Sequence, residues 1–158
     1  MAERIVVNTG PLIVLARLDV LEVAGRLPYD FVCPDEVRAE LDAGEAAGHP
    51  RVAPSWLRVL PLRKEIPPLA LSALDRGEAA VIQLALEQRT DLVCIDEWKG
   101  RRAALAAGLK VTGVLGLLGQ AKRQGIIQAV RPLLERALVE GVRYHPELVR
   151  RVLEILGE

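Results

Sequence analysis

The residues able to do chemistry in this chain are polar side chains that fall where apolar runs stop. Asn8 follows the β-branched run Ile5–Val7, and Glu36 and Glu40 follow Phe31–Cys33. Glu78 opens the apolar string DRGEAAVIQLA, and Asp96 with Glu97 ends Leu92–Ile95. Right-handed crossovers put the carboxyl ends of parallel strands on one edge of a sheet, where ligands bind. Carboxylates converging there would repel unless a cation lay between them, and hard oxygen donors of this kind suit Mg²⁺ or Mn²⁺. Such a cation can orient a water for in-line attack on a phosphodiester and offset charge in the transition state. Lys99, Arg101 and Arg102 follow the last two acids closely enough to hold a substrate's phosphates.

Each of these residues also has a plainer reading. A negative charge at a helix start is stabilised by about 0.3–1 kcal/mol, and taken alone that accounts for Glu78. Its place opening an otherwise apolar helix shifts the balance toward a site. Glu40 within RAEL reads equally well as a solvated helix position, and Glu36, one turn earlier, reads as structural. Asp96 would make a good helix cap, but the adjacent Glu97 and the basic run favour a site. Cations at a helix N-terminus are unfavourable, so Lys99-Gly100-Arg101-Arg102 suggests a task. Gly113, Gly116 and Gly119 look like a phosphate loop, yet no GKS or GKT follows, which excludes a nucleotide site of that kind. His49 and His145 are isolated, and Trp56 and Trp98 read as core or interface residues rather than stacking platforms.

The elements that must position these residues alternate. Ile5–Val7 is a first strand, and Pro11 fits the first turn of the helix after it. Asp19 is expected to cap a short helix, Val20–Ala24, stopped by Gly25. Phe31–Cys33 is a second strand, and Pro34 and Asp35 open a helix that Gly44 ends. Residues 44–55 read as an exposed loop and Leu57–Leu62 as an edge strand. One helix is expected from Ser72 to about Arg89. Leu92–Ile95, apolar without alternation, is a strand covered on both faces. Gly108 closes the next helix, Leu109–Thr112 is a fifth strand, and Gly125 ends the helix that follows. Val130–Val139 and Pro146–Leu156 complete the chain as amphipathic helices. Strands alternating with helices signal an α/β domain with a parallel sheet.

A chain of 158 residues with 51% hydrophobic residues can bury one core. With 21 basic and 21 acidic residues it has no overall attraction for nucleic acid, so any such binding must come from a local patch. An aromatic content of 3% argues against base stacking as the main source of affinity. Cys33 and Cys94 show no CxxC or CxxH spacing and read as free buried thiols in a reducing compartment. No leader or transmembrane segment is evident, which leads us to expect a soluble cytoplasmic protein.

The strings VVNTGPLIVL, PDEVRAEL, DRGEAAVIQLA and DLVCIDEWKGRRAALAAGLKVTGVLGLLGQAKRQGII together resemble the PIN domain (PilT N-terminus) family. The resemblance is closest to the branch of small prokaryotic proteins that includes VapC-type toxins, and the last string is its most specific part. It covers roughly residues 4–127 in order. It implies a metal-dependent ribonuclease in which three or four acids bind one or two Mg²⁺ or Mn²⁺ ions. It also implies RNA as substrate, a small antitoxin protein as partner, and a homodimer. The family's first Asp falls on Asn8, its second-helix Glu on Glu40, its third acid on Glu78 and its fourth on Asp96. Glu97 takes the fourth place in a shifted alignment, and Thr9 matches the small hydroxyl residue after the first acid. Asn8 departs from the pattern: its amide oxygen can ligate a cation but brings no negative charge.

The expectation is therefore a single PIN-like domain over residues 1–158, with a core at about 4–127 and C-terminal helices at 128–158. Those helices could cap the domain or offer a surface for dimerisation or an antitoxin. The fold expected is three-layer α/β/α with a mainly parallel five-stranded sheet. In the leading function Glu40, Glu78 and Asp96, helped by Asn8 and Glu97, hold the metal. Thr9, Lys99, Arg101 and Arg102 bind substrate. The competing function is a weakened PIN-like module that binds nucleic acid or a partner protein without cutting. A receiver-like phosphoacceptor is disfavoured, because no acidic pair follows strand one and no lysine ends strand five.

Overall fold

A computed structural model describes residues 2–158. Five strands form one sheet: β1 (Glu3–Val7), β2 (Tyr29–Pro34), β3 (Leu57–Leu60), β4 (Leu92–Cys94) and β5 (Lys110–Thr112). Their order is β3-β2-β1-β4-β5 and every pairing is parallel. Helices flank the sheet, giving the three-layer α/β arrangement expected. Parallel strands covered on both faces carry continuous apolar runs, and Ile5, Val6, Val7, Val32, Val93 and Cys94 are all fully buried.

The chain builds outward from β1 in one direction through β2 and β3, then returns to place β4 on the other side of β1. That reversal makes the gap between the carboxyl ends of β1 and β4 a topological switch point, where open α/β sheets bind ligands. Register fixes it: Val7 pairs with Cys94, and the Asn8 N–H donates to the Cys94 carbonyl at 3.0 Å. Asn8 and Asp96 thus leave the sheet side by side.

The helices are α1 (Thr9–Arg17), α2 (Leu21–Gly25), α3 (Asp35–Ala46), α4 (Pro68–Ala73), α5 (Arg76–Glu87), α6 (Trp98–Ala106), α7 (Val114–Arg123), α8 (Arg131–Val139) and α9 (Pro146–Ile155). Three expectations are corrected. The helix read from Ser72 to Arg89 is two helices, because Leu74 is extended (φ −125°, ψ 155°) and Asp75 caps a fresh start. α3 runs through Gly44 to Ala46, and the chain turns instead at Gly48, with φ +102°. Asp19 does not cap α2. It sits in the left-handed region at φ 56° and takes a hydrogen bond from Arg136. The loop before β3 is pinned by Val52, which is buried.

α8 and α9 share the main core, since Leu134, Ala137 and Leu153 join the cluster that holds Ile5 and Val93. The Glu158 carboxylate accepts from the Val130 and Arg131 N–H groups at 2.8 and 2.9 Å and pairs with Lys122 at 2.9 Å. It thereby satisfies free donors at the start of α8. Cys33 and Cys94 are buried free thiols, and burial pushes Cys33 up to about 11. Among the described residues no helix is long and apolar enough to cross a membrane.

The hydrogen bonds from the Val130 and Arg131 N–H groups depress the Glu158 carboxyl from 4.5 to about 2. A depressed acid contributes stability above its unfolded pKa, and that contribution is lost as pH falls through the folded value. Glu158→Gln should therefore melt below the parent near neutral pH, with the gap closing as pH falls from 4.5 toward 2. A gap that does not change with pH would show that the carboxylate's charge is not what fastens α8.

Candidate active site

Asn8 ends β1 in extended conformation (φ −83°, ψ 167°) and starts α1 without capping it by its side chain. The residue is 7% exposed, and its Oδ1 is buried with no hydrogen-bond partner. α5 begins with a reciprocal cap: Asp75 Oδ1 accepts from the Glu78 N–H at 2.8 Å, and Glu78 Oε1 from the Asp75 N–H at 3.4 Å. That exchange leaves Glu78 Oε2 buried and unpartnered on a residue only 3% exposed. On α3, Glu40 Oε1 accepts from the Thr9 hydroxyl at 2.8 Å. Beyond β4, Asp96 Oδ1 accepts from the Val114 N–H at 3.0 Å. Asp96 therefore caps α7 rather than the helix that follows it directly.

Asn8, Thr9, Glu40, Glu78, Asp96 and Glu97 line one cavity of about 230 Å³, together with Asp75. Glu36 is not among its walls. Three glycines shape the cavity by lacking a side chain. A Cβ on Gly77 would lie 1.9 Å from Glu40 Oε1, one on Gly113 2.3 Å from Asp96 Oδ1, and one on Gly100 3.0 Å from Glu78 Oε2. A side chain at any of the three would have to push the end of an acid aside.

The electrostatics are one-sided. Burial raises the pKa of Glu40, Glu78 and Asp96. The Asp75 charge raises Glu40 and Glu78 further, and Glu97 adds to the effect on Glu78. Against this, the Thr9 hydroxyl lowers Glu40, while the Val114 N–H and the Arg101 charge lower Asp96. Among the described residues no cation pairs with Glu40 or Glu78. An all-oxygen donor set with two buried, unpartnered oxygens fits a hard divalent cation. Among the described residues no three His, Cys, Asp or Glu side chains stand preassembled as a metal cluster. Glu40, Asp96 and one oxygen of Glu78 are each tied to a local donor, so a cation would draw on the Asn8 amide and on water. Mg²⁺ ordinarily keeps several waters.

The basic residues divide. The Arg101 guanidinium donates to the Ile95 carbonyl at 2.7 Å and the Thr112 carbonyl at 3.3 Å, clamping the ends of β4 and β5. Lys99 and Arg102 are exposed on α6, with Arg102 lying 5.5 Å from the Trp98 ring centroid. None of the three lines the acidic cavity. Trp56 packs on Phe31 with ring centroids 4.8 Å apart, as a core reading requires. Trp98 is 70% exposed, which rules out the core half of the core-or-interface reading for it. Asp75 is a further candidate residue of this cavity, signalled in the sequence by the Asp-x-x-Glu spacing of a capping box that lies inside an apolar pattern reading as one continuous helix.

An acid whose folded pKa is raised binds its proton more tightly in the native state. Stability from such a group is greatest at acid pH and is lost as pH rises through the folded value. Glu78→Gln keeps an acceptor for the cap and removes one of the repelling charges. In EDTA near neutral pH it should raise Tm by about 2–4 °C, equivalent to roughly 1 kcal/mol for a chain of this size. The gain should fade on acidification toward the ordinary glutamate value of 4.5. An unchanged or lower Tm near neutral pH would mean that the acidic pocket stores no such repulsion.

No curated protein matches the chain. A family model described as PIN domain matches residues 4–158, so the match takes in α8 and α9 as well as the sheet and its site. PIN domains have a nuclease-type fold and generally use divalent metals, which agrees with the all-oxygen pocket at the switch point. The chain belongs to the PIN domain family.

Proposed function

We propose that the chain is a metal-dependent ribonuclease in which Glu40, Glu78 and Asp96, with Asn8, hold a Mg²⁺ or Mn²⁺ ion and Glu97 assists at the rim. The observation that carries this reading is the pair of buried, unpartnered oxygens, Asn8 Oδ1 and Glu78 Oε2, in a pocket whose carboxylates have little counter-charge. A divalent cation held there supplies an activated water and offsets the negative charge that builds on the phosphodiester. The protein's part is positioning. Thr9 fixes Glu40, the Asp75 cap fixes Glu78, and the start of α7 holds the Asp96 carboxylate. Lys99 and Arg102 are exposed cations on α6, the helix that follows Asp96 and Glu97, and would take RNA phosphates, while Arg101 ties the ends of β4 and β5.

A second reading is favoured by one residue. Asn8 brings no charge where the family pattern has an acid, so cation affinity falls and the chain serves as a module that binds RNA or a protein without cutting. A toxin role within the VapC-like branch, with a small antitoxin as partner, rests on the resemblance alone, whereas a cytoplasmic location rests on the sequence pattern and the free thiols Cys33 and Cys94. The exposed apolar side chains Leu138, Val139 and Ile155 on α8 and α9 support a surface for that partner or for a second copy of the chain.

Mn²⁺-dependent cleavage of a mixed RNA pool separates the two readings. The parent should cut, and Asp96→Asn should cut at least about 100-fold more slowly, beyond the 10–100-fold typical of losing an outer-shell partner. If the parent is inert and Asn8→Asp cuts, the natural protein is a binding module on a nuclease scaffold. If both are inert, the site assignment is wrong.

A further inference from the structure

The acidic cavity, at about 230 Å³, is smaller than the roughly 300–1,000 Å³ of sites that enclose an organic ligand. It suits a hydrated ion and one phosphate, and leaves no room for the nucleosides on either side. A second cleft of about 730 Å³ opens directly across Asp96, which lines both. Trp98, Arg143 and His145 stand in its walls, and Gly113 and Gly116 keep side chains out of it. Trp98 is 70% exposed, and the Arg102 guanidinium lies 5.5 Å from its ring centroid, so one ring face has a cation against it and the other can take a partner. Arg143 is exposed and pairs with no carboxylate among the described residues. His145 uses Nδ1 to accept the Glu147 N–H at 3.1 Å, leaving Nε2 uncommitted.

We infer that this cleft between α6, α7 and the start of α9 is a nucleotide subsite, holding the nucleoside next to the scissile phosphate with its base against Trp98 and a neighbouring phosphate on Arg143. The inference rests on the nuclease reading of the acidic pocket and adds where the strand runs. The chemistry favours a single strand: a planar aromatic face, cations and glycine-lined space recognise an unstacked base and its backbone. A duplex keeps its bases stacked and cannot offer one to Trp98. Val111, Leu115, Leu148 and Val152 also stand in its walls, but the groove between α8 and α9 lined by Leu134, Leu138, Val142, Val149 and Leu153 is the more apolar of the two and the better seat for a protein helix.

The test is fluorescence anisotropy of a short labelled single-stranded RNA titrated with the full chain in EDTA, so that no cleavage intervenes. Trp98→Ala should weaken binding by roughly tenfold or more, as loss of one base–aromatic stack does, while Trp98→Phe should keep most of the affinity. Arg143→Glu should weaken binding and flatten its salt dependence by about one unit of log–log slope. Duplex RNA of the same sequence should bind far less tightly. Melting temperatures, and the rise in Tm that Mn²⁺ produces, should be the same in the parent and all three cleft variants. Parent-like RNA affinity in Trp98→Ala and Arg143→Glu overturns the inference. So does a parent that Mn²⁺ stabilises but that binds no RNA, which would turn the cleft over to a protein ligand. If Mn²⁺ leaves Tm unchanged while Trp98→Ala still loses RNA affinity, the metal reading fails and the subsite stands.

Discussion

Carboxylates gathered at one edge of the sheet, with the Arg101 charge acting on Asp96 alone among them, are the constraint on which this structure turns. Glu40, Glu78 and Asp96 come from three separate elements, and each is partly withdrawn from water beside the others. An arrangement of that kind is unfavourable on its own terms, because burial disfavours the ionised form of all three and the Asp75 charge repels Glu40 and Glu78. It persists because the rest of the fold over-determines it. The parallel pairing of β1 with β4 sets Asn8 beside the strand that leads to Asp96. The cap at the start of α5 orients Glu78, and the Thr9 hydroxyl orients Glu40.

Within that constraint the uncharged Asn8 acquires a physical sense. Of the inward polar groups it is among the most deeply buried, and a carboxylate at its place would add a further negative charge where desolvation is severe. The amide keeps an oxygen directed to the same cavity while sparing the native state that repulsion. Asp75, exposed and close by, restores negative charge at the rim, where water screens it better. Charge has in effect moved from the floor of the pocket to its edge. On the nuclease reading proposed above, this exchange favours the fold without a cation and weakens the hold on one.

The sheet and the acids were legible in the sequence because they rest on local signals. Unbroken β-branched runs mark the strands, and polar residues where those runs stop mark the ligand edge. What stayed hidden depends on relations between distant segments. The break at Leu74 leaves an apolar pattern that reads as one helix, so the cap made by Asp75 was missed. Arg101 reads as a free cation, yet it spends its donors on the Ile95 and Thr112 carbonyls, a link that exists only once β4 and β5 are paired. Asp96 looks like a cap for α6 and instead caps α7, for the same reason. Trp98 carries no sequence sign of its exposure. A tryptophan is as often buried as not, and only the way α6 leaves the sheet edge turns it outward.

Gly77, Gly100 and Gly113 set where the acid ends can lie. A Cβ at any of them would meet Glu40, Glu78 or Asp96 at 1.9–3.0 Å, so a larger residue there would push the carboxylate aside. The placement of the acidic oxygens is thus written partly at positions that carry no oxygen of their own. A change at one of these glycines would move an acid while leaving every acid in the sequence.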